Sequence, residues 1–373
     1  MTSCGVSALD IIFSIGSLSI KLIKCVDWAA GTIIAFFLRS RKNNAVKANK
    51  TIRTVLIIRP GGIGDALFIL PILKFLKSAD PHLDLDILCE NRNRAVFKNQ
   101  KNLFRKIFEY NHWSHVKSVL ENQYDLVIDT EQWHYLSAIL AYRVKAALRA
   151  GYNTRPLRKK LFEIPVNYKT DEYELENFRN IFEQAWGRPI PKQTLENSFD
   201  IPHEELAWAS GQFTQDFVTL YIGASIPVRR LTTPQCIRII QGALKKGYRI
   251  ALIGGKDVID AGAKIVNNYP DPKVRNFIGQ TTFLQTAALI KSSRLFIGTD
   301  SGIMHLSCAV GTPTVALFGP GQLKKWAPQN SKHRVVTENV WCSPCTRFGY
   351  TVPVCRGQYQ CMRTLNLDHI FDK

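Results

Sequence analysis

The stretch VLIIRPGGIGDALFILPIL, residues 55–73, sets the fold class of this 373-residue chain. The apolar run VLII has the length of a strand, and the glycine-rich turn after it leads into an apolar segment typical of a helix. A strand, a glycine-rich turn and a helix in this order form the unit with which many folds bind phosphate. Gly61, Gly62 and Gly64 do not fit the spacing G-x-G-x-x-G, so the dinucleotide-binding fingerprint is not met.

Asp65 stands where this helix should begin, and its carboxylate would repel a phosphate. It can be an ordinary first-turn residue, because negative charge is favourable near a helix N-terminus. It can also be a general base that faces a cleft and takes a proton from a hydroxyl group. The residues alone favour neither interpretation.

From residue 52 onward, short apolar segments alternate with amphipathic ones, which indicates parallel sheets with crossover helices. Strands are predicted at 54–58, 84–89, 125–129, 217–222, 249–253, 294–297 and 314–318. Helices are predicted at 65–77, 134–148, 172–186, 234–246, 257–268, 283–291 and 302–309.

The polar, proline-bearing stretch 188–215 resembles a linker between two such series. We therefore expect an α/β protein with two doubly wound, Rossmann-like domains that face each other across a central cleft. The predicted divisions are an N-terminal helix with a basic linker at 1–50, a first domain at 51–205 and a second at 206–373.

Composition supports a globular protein that binds anions. Hydrophobic residues make up 46% and charged residues 21% of the chain, and the formal net charge is +19. Such a charge favours phosphorylated ligands, acidic membrane surfaces or nucleic acid, and does not choose among them. No recognised nucleic-acid-binding module is visible, so we expect no nucleic acid partner.

Residues 9–39 have the period of an amphipathic helix. Lys21, Lys24 and Asp27 interrupt its apolar run, which argues against a transmembrane span. A helix that lies in the membrane surface is favoured over one that packs on the protein itself. The sequence shows no signal-peptide pattern, so we expect an intracellular protein.

A second strand, turn and helix lie in RLFIGTDSGIMHLSCAVGTPTVALFGP, residues 294–320. Asp300 or Ser301 can cap the helix that begins here, and the N–H groups at Ser301 and Gly302 can bind an anion. This half is therefore the better candidate for holding phosphate, although a purely structural capped helix would give the same pattern.

The segments VLIIRPGGIGDALFILPIL, YDLVIDTEQ and GTDSGIMHLSCAVGTPTVALFGP resemble glycosyltransferase family 9, which includes the ADP-heptose:lipopolysaccharide heptosyltransferases. The resemblance runs from about residue 52 to residue 370. It implies a GT-B fold, a sugar nucleotide held mainly by the second domain, and an inverting transfer that requires no metal or other cofactor.

The resemblance also implies roles for single residues. Asp65 matches the catalytic base, and Arg59, Gly61, Gly62 and Gly64 form the loop on the acceptor side. Residues that match the donor-binding positions are Ser225, Arg230, Asp257, Asp300, Ser301, Gly302 and His305. Arg229 is an equal candidate to Arg230 on spacing.

Four of the nine cysteines lie close together in the sequence, at Cys342, Cys345, Cys355 and Cys361. Four thiols suit a tetrahedral zinc site, but their spacing differs from that of a standard zinc knuckle. A structural zinc ion, a disulfide pair and free thiols all stay open, and we favour zinc.

The function that the resemblance implies is transfer of a heptose or related sugar, with ADP-heptose as the expected donor and a lipopolysaccharide core or other anionic glycolipid as acceptor. Such an acceptor implies a protein that is peripheral on the cytoplasmic face of the inner membrane. The alternative is a non-catalytic protein that binds membrane surfaces, anionic glycans or nucleic acid on a transferase scaffold.

Overall fold

The structure is a computed structural model that describes residues 20–41, 52–100, 102–346 and 355–372. The chain divides into two compact units. Unit 1 comprises the described residues up to Gly62 together with Ile72–Lys169 and Leu175–Gln193. Unit 2 comprises Ile63–Pro71, Thr170–Glu174 and the described residues from Thr194 onward.

Helices and strands alternate in unit 1, as the sequence predicts. Its elements are α1 (Ile20–Phe37), β1 (Thr54–Arg59), the end of α2 (Ile63–Ala79), β2 (Asp84–Cys89), α3 (Asn91–Lys98), β3 (Lys106–Glu109), α4 (Trp113–Glu121), β4 (Gln123–Asp129), α5 (Tyr135–Arg143), β5 (Lys145–Tyr152), α6 (Pro156–Lys159), β6 (Ile164–Val166) and α7 (Glu174–Trp186). The six strands pair in parallel in the order β3-β2-β1-β4-β5-β6.

The alternation repeats in unit 2, which also contains the start of α2. Its further elements are α8 (His203–Ser210), β7 (Phe217–Tyr221), α9 (Thr233–Lys245), β8 (Arg249–Ile253), α10 (Ile259–Asn268), β9 (Val274–Asn276), α11 (Phe283–Ser292), β10 (Leu295–Thr299), α12 (Gly302–Ala309), β11 (Thr314–Phe318), α13 (Leu323–Trp326), β12 (His333–Thr337) and α14 (Gln360–Arg363). Its strands are parallel in the order β12-β11-β10-β7-β8-β9.

The two sheets have the same strand order when the strands of each are counted along the chain. In both sheets, the first strand lies beside the fourth. Strands one to three follow one another toward one side of the sheet and strands four to six toward the other, so the direction of the connections switches between the first and fourth strands. Ligands of such sheets bind at this switch point, outside the carboxyl ends of the strands. The prediction of two doubly wound parallel sheets is confirmed.

The central strands of each sheet are buried. In β1, Val55, Leu56, Ile57 and Ile58 are all at most 1% exposed. The sequence of a strand that is buried on both faces is a continuous apolar run, whereas a strand with one exposed face alternates apolar and polar residues. For this reason the long apolar strands were predicted with nearly correct bounds.

Five strands of the described residues were not predicted, because charged or polar residues, or in β6 a proline, interrupt their apolar pattern. They are β3, β5, β6, β9 and β12. The helix predicted at 134–148 is too long, since α5 ends at Arg143 and β5 begins at Lys145. The predicted linker 188–215 contains α8, which packs against α11. The predicted domain boundary between residues 205 and 206 therefore falls inside unit 2.

Helix α1 packs on unit 1 through one face. The Asp27 carboxylate accepts hydrogen bonds from the backbone N–H groups of Tyr135 (3.1 Å) and Leu136 (2.7 Å) at the start of α5. A Cβ atom at Gly31 would lie 2.5 Å from Tyr135 Cβ, and Ala35 is fully buried. A helix that packs on the protein itself, the alternative that the sequence favoured less, is thus present on this face. Residues 9–19 of the predicted helix lie outside the described residues.

The Asp27 cap should contribute measurably to the stability of unit 1. The substitution Asp27→Ala leaves two N–H groups of α5 without their acceptor and should lower the free energy of unfolding by about 1–2 kcal/mol. Chemical denaturation measures this difference. Asp27→Asn keeps an acceptor oxygen and should lose less; equal stability of Asp27→Ala and the unchanged protein would show that the cap has no effect.

Candidate functional site

The predicted donor-binding residues gather at one edge of the sheet in unit 2. Ser225 follows β7, Asp257 lies in the short 3-10 segment after β8, and Asp300 follows β10. These three strands are neighbours in the order β10-β7-β8, so their carboxyl ends meet at the same edge. Residues that are far apart in the sequence thus lie at the switch point where such a sheet binds its ligand.

Ser301 is the N-cap of α12. Its backbone is extended, and its hydroxyl oxygen accepts a hydrogen bond of 3.3 Å from the N–H of Met304. The predicted cap is therefore present at Ser301. The first N–H groups of a helix have no partner within the helix, and together with the helix dipole they favour an anion.

The start of α2 packs against the start of α12, and both belong to unit 2. A Cβ atom at Gly302 would lie 2.9 Å from Ile63 Cβ and 3.1 Å from the backbone N of Gly64. A Cβ atom at Gly64 would lie 2.9 Å from His305 Cδ2. Only glycine permits this approach, so two positively polarised helix ends lie close together.

Asp65 lies in the first turn of α2 and is partly exposed. Its negative charge complements the positive end of its own helix. Because the preceding residue, Gly64, contacts α12, the Asp65 backbone lies next to the predicted anion site. The structure thus places the predicted base beside the predicted diphosphate turn.

The tandem arginines Arg229 and Arg230 contact different parts of this edge. Arg229 Nη1 lies 3.0 Å from Asp300 Oδ2 and donates to the Asp300 carbonyl oxygen at 3.1 Å. Arg230 Nε donates to the Ala224 carbonyl oxygen at 3.1 Å, and its guanidinium is paired with Asp257. The sequence did not assign different contacts to Arg229 and Arg230, because the turn that places their side chains apart forms only in the folded protein.

Asp300 is buried, with 4% of its surface exposed. Burial raises the pKa of its carboxyl group, and the nearby positive charge of Arg229 opposes that shift. A Cβ atom at Gly321, after β11, would lie 2.1 Å from Asp300 Oδ2. Asp300 therefore fixes the turn from within the protein, while Ser301 and Gly302 carry the backbone groups that can meet a ligand.

His305 lies in an aromatic cluster of unit 2. Its ring centroid is 4.7 Å from that of Phe68 and 6.0 Å from that of Trp326. Burial, aided by the positive charge of Arg229, lowers the pKa of His305 to about 3. The imidazole is therefore neutral at physiological pH. No sequence pattern identified Phe68 or Trp326 as neighbours of His305, since a single aromatic residue does not indicate where it lies in the fold.

The glycine-rich loop of unit 1 is shaped by Arg59, whose side chain is buried. Arg59 Nη1 donates to the Thr130 carbonyl oxygen (2.8 Å), and Nη2 donates to Glu131 Oε2 (3.1 Å). Gly61 has φ = +107°, which favours glycine, and its N–H donates to Glu90 Oε1 at 3.1 Å. Arg59 thus supports the predicted acceptor-side loop from inside rather than extending into solvent.

A buried charged network supports the same edge of unit 1. Asp129 Oδ2 and Arg158 Nη2 are 2.9 Å apart, and both side chains are fully buried. Burial raises the pKa of Asp129 to about 6. Burial disfavours the charge of Glu131, but the nearby Arg59 keeps the pKa of this group lowered. Asp129 and Glu131 belong to the quoted segment YDLVIDTEQ, whereas no sequence signal linked them to Arg158.

Two of the four late cysteines, Cys345 and Cys361, lie beside the segment that follows β11. The Cys345 N–H donates to the Pro320 carbonyl oxygen at 3.2 Å, and Cys361 Sγ would lie 3.1 Å from a Cβ atom at Gly319. Cys342 Sγ would lie 2.5 Å from a Cβ atom at Gly357. Burial and the neighbouring thiols raise the pKa of Cys361 to about 11.

As arranged, the side chains of the described residues include no group of three or more His, Cys, Asp or Glu that could hold a metal ion. The interpretation of the cysteines as a zinc site is not decided by this finding and stays a prediction.

Comparison with known proteins agrees with the fold described above. Residues 112–353 match glycosyltransferase family 9 (heptosyltransferase), which is more than half of the chain. The chain therefore belongs to this family, and it is a glycosyltransferase.

Among curated relatives, lipopolysaccharide heptosyltransferase 3 of Escherichia coli is 26% identical over 290 residues, 71% of this chain and 83% of that protein. A solved family 9 glycosyltransferase of Veillonella parvula aligns with a TM-score of 0.68 and 20% identity, over 78% of this chain and 88% of that one. The ADP-heptose lipopolysaccharide heptosyltransferase II of E. coli aligns with a TM-score of 0.66 and 19% identity, over 78% and 92%.

His305 should make the protein sensitive to acid. In the unfolded chain a histidine binds a proton near pH 6.5, whereas in the folded protein His305 does so only near pH 3. Stability is therefore fully present above pH 6.5 and is lost as the pH falls from there toward 3. The substitution His305→Gln removes this contribution to the pH dependence. Between pH 7 and pH 5, the free energy of unfolding of the variant should therefore fall by about 2 kcal/mol less than that of the unchanged protein.

Denaturant unfolding of both proteins at the two pH values measures the difference. An identical pH dependence would mean that His305 titrates normally in the folded protein.

Proposed function

We propose that this protein transfers a heptose from ADP-heptose to a lipopolysaccharide-core acceptor, with inversion at the anomeric carbon and without a catalytic metal. The observation that carries the proposal is the contact between the starts of α2 and α12, which brings the Asp65 backbone next to the turn at Ser301. Family membership and the similarity to E. coli heptosyltransferases support it.

The donor diphosphate binds at the N-terminus of α12. The N–H groups at Ser301 and Gly302 donate hydrogen bonds to its oxygens, and the helix dipole offsets their charge. Ser225 is exposed at the same edge and adds a hydroxyl donor. Such contacts stabilise the leaving group most where negative charge accumulates, in the transition state.

Arg230 and Asp257 act as a pair on the nucleotide. Their side chains bind each other and are both partly exposed, at 32% and 55% of their side-chain surface. A diphosphate that approaches Arg230 offers the guanidinium a second anion. Asp257 is then able to accept hydrogen bonds from the ribose hydroxyl groups, which is the role that carboxylates take in related sheets.

Asp65 is the general base. The acceptor hydroxyl oxygen attacks the anomeric carbon, and its proton passes to the Asp65 carboxylate. The bond from the anomeric carbon to the diphosphate oxygen breaks, and the electron pair leaves with ADP. Attack from the face opposite the diphosphate inverts the configuration, so the base and the phosphate-binding turn must be close but separate. Adjacent helix ends satisfy this requirement.

Asp65→Asn is the sharpest test of this mechanism. It keeps the size of the side chain but removes the proton acceptor, so turnover should fall about 10²- to 10⁴-fold. ADP release from ADP-heptose with a lipopolysaccharide-core acceptor measures turnover, and calorimetry with ADP measures donor binding, which should change little.

Glu204→Gln is the matched control, because it removes a first-turn carboxylate from α8 and should leave turnover unchanged. Near-normal turnover of Asp65→Asn would reduce Asp65 to a helix-terminal residue. Failure of the unchanged protein to release ADP with any such acceptor would favour the non-catalytic alternative.

The acceptor carries a lipid, so the enzyme acts on it at the cytoplasmic face of the inner membrane. In the part of the chain that the structure describes, no helix has the length and the apolar character needed to cross a bilayer. Contact with the membrane therefore requires a part of the protein surface that binds the bilayer.

We also propose that Cys342, Cys345, Cys355 and Cys361 bind one structural zinc ion. The Tyr359 N–H donates to Cys355 Sγ at 3.1 Å, the kind of contact that supports a thiolate. Zinc there would fix the segment at Gly319 and Gly321, and Gly321 in turn contacts Asp300.

The zinc proposal predicts about one metal per chain in protein prepared without chelator, and its loss in Cys342→Ser. Elemental analysis measures this, with Cys89→Ala as the control, since it removes a buried thiol of unit 1. Metal-free protein that still holds four reactive thiols, or a disulfide in their place, would contradict the proposal.

A further inference from the structure

Helix α1 exposes a broad apolar face. Trp28 is 59%, Ile33 60%, Phe36 65% and Phe37 78% exposed. Nine large hydrophobic side chains are exposed among the described residues, and these four share one helix. Clusters of this kind mark interaction sites, whereas single exposed apolar residues are ordinary.

The orientation of α1 differs from that expected for a surface helix. Such a helix normally turns its large apolar residues toward the core and its polar residues toward water. Here Asp27, Gly31 and Ala35, spaced four apart, lie on the packed side. The largest apolar side chains among the described ones point away from unit 1, although Ile34 and Leu38 do pack against the core.

Positive charge borders this apolar face. Lys160 Nζ donates to the Phe36 carbonyl oxygen at 2.9 Å and lies 6.0 Å from the centroid of the Phe36 ring. Arg39 is exposed just beyond the helix. Between residues 20 and 50 the sequence contains one acidic residue, Asp27, and its carboxylate is occupied by α5.

We infer that this surface, formed by Trp28, Ile33, Phe36 and Phe37 with Arg39 and Lys160 at its border, docks the protein on anionic lipid bilayers. The aromatic and aliphatic side chains enter the boundary between headgroups and acyl chains, and the two cations meet lipid phosphates. A protein partner would need complementary acidic groups, whereas an anionic bilayer supplies both a negative surface and an apolar layer.

The docking surface is joined by hydrogen bonds to the edge of unit 1 that carries the glycine-rich loop. Asp27 Oδ2 lies 3.1 Å from His134 Nδ1, and the Trp133 N–H donates to Glu131 Oε1 at 3.1 Å. Glu131 in turn binds Arg59 beneath the loop. Docking therefore holds this edge at a fixed position relative to α1, which would present a lipid-borne acceptor to the loop. This second step rests on the proposed function; bilayer binding does not.

The first experiment measures binding to vesicles without any substrate. Full-length protein should co-sediment with phosphatidylcholine vesicles that contain phosphatidylglycerol, and less with phosphatidylcholine alone. The double variant Phe36→Ser/Phe37→Ser should bind at least about tenfold more weakly, because it removes two exposed aromatic side chains from the bilayer contact. Trp341→Ser is the matched control, since Trp341 is 76% exposed and lies in unit 2.

Equal binding of the double variant and the unchanged protein would overturn the inference. So would an unchanged protein that ignores vesicles but forms dimers that the double variant abolishes, because a second copy would then cover this face. Circular dichroism and denaturation should show that the double variant folds normally, since both side chains are exposed.

A second experiment separates docking from catalysis. The double variant should lose turnover on an acceptor embedded in anionic vesicles and keep normal turnover on a deacylated, water-soluble acceptor. Equal losses on both acceptors would overturn the delivery step. If the unchanged protein transfers no heptose at all, the proposed function fails, while the vesicle measurement still decides whether α1 docks.

Discussion

The close approach of two helix N-termini is the constraint on which the candidate site depends. Gly64 and Gly302 lack side chains where α2 and α12 meet, and any Cβ atom there would come within 2.9 Å of a neighbouring atom. Two positive helix ends in contact repel each other, so the arrangement favours negative charge nearby. Asp65 supplies part of it, and an anionic ligand supplies the rest. The same packing therefore explains why a carboxylate and the proposed phosphate site lie in one place.

Buried ion pairs hold the binding edges of both sheets in shape. In unit 2, Arg229 binds the turn at Asp300; in unit 1, Arg59 binds Glu131 beneath the glycine-rich loop. Isolated buried charges would be very costly, so each is paired and hydrogen-bonded. These pairs leave Ser225, Gly302 and Arg230 as more accessible groups at this edge of unit 2. Burial thus separates the supporting residues from those proposed to bind a ligand.

The sequence allowed the fold class and the capped turn at Ser301 to be predicted, because both depend on local patterns. Long apolar strands, glycine-rich turns and the N-cap at Ser301 each leave a signal within about ten residues of one another. The strand β5 and the helix α8 were missed, since their residues follow tertiary contacts rather than a clear period. The partner of Asp129, Arg158, and the separate roles of Arg229 and Arg230 also depend on contacts across the fold, which no spacing reveals.

The amphipathic pattern of α1 correctly predicts a helix, but it leaves open which side of that helix packs on the protein. An amphipathic period fixes which residues share a face, but it does not state which face meets the protein. In the structure Asp27 decides this, because its carboxylate caps α5 and places its side of the helix inward. Phe36 and Phe37 must then point outward. One capping contact therefore converts an ordinary amphipathic helix into an exposed apolar surface, and it does so at the edge of unit 1 that supports the acceptor-side loop.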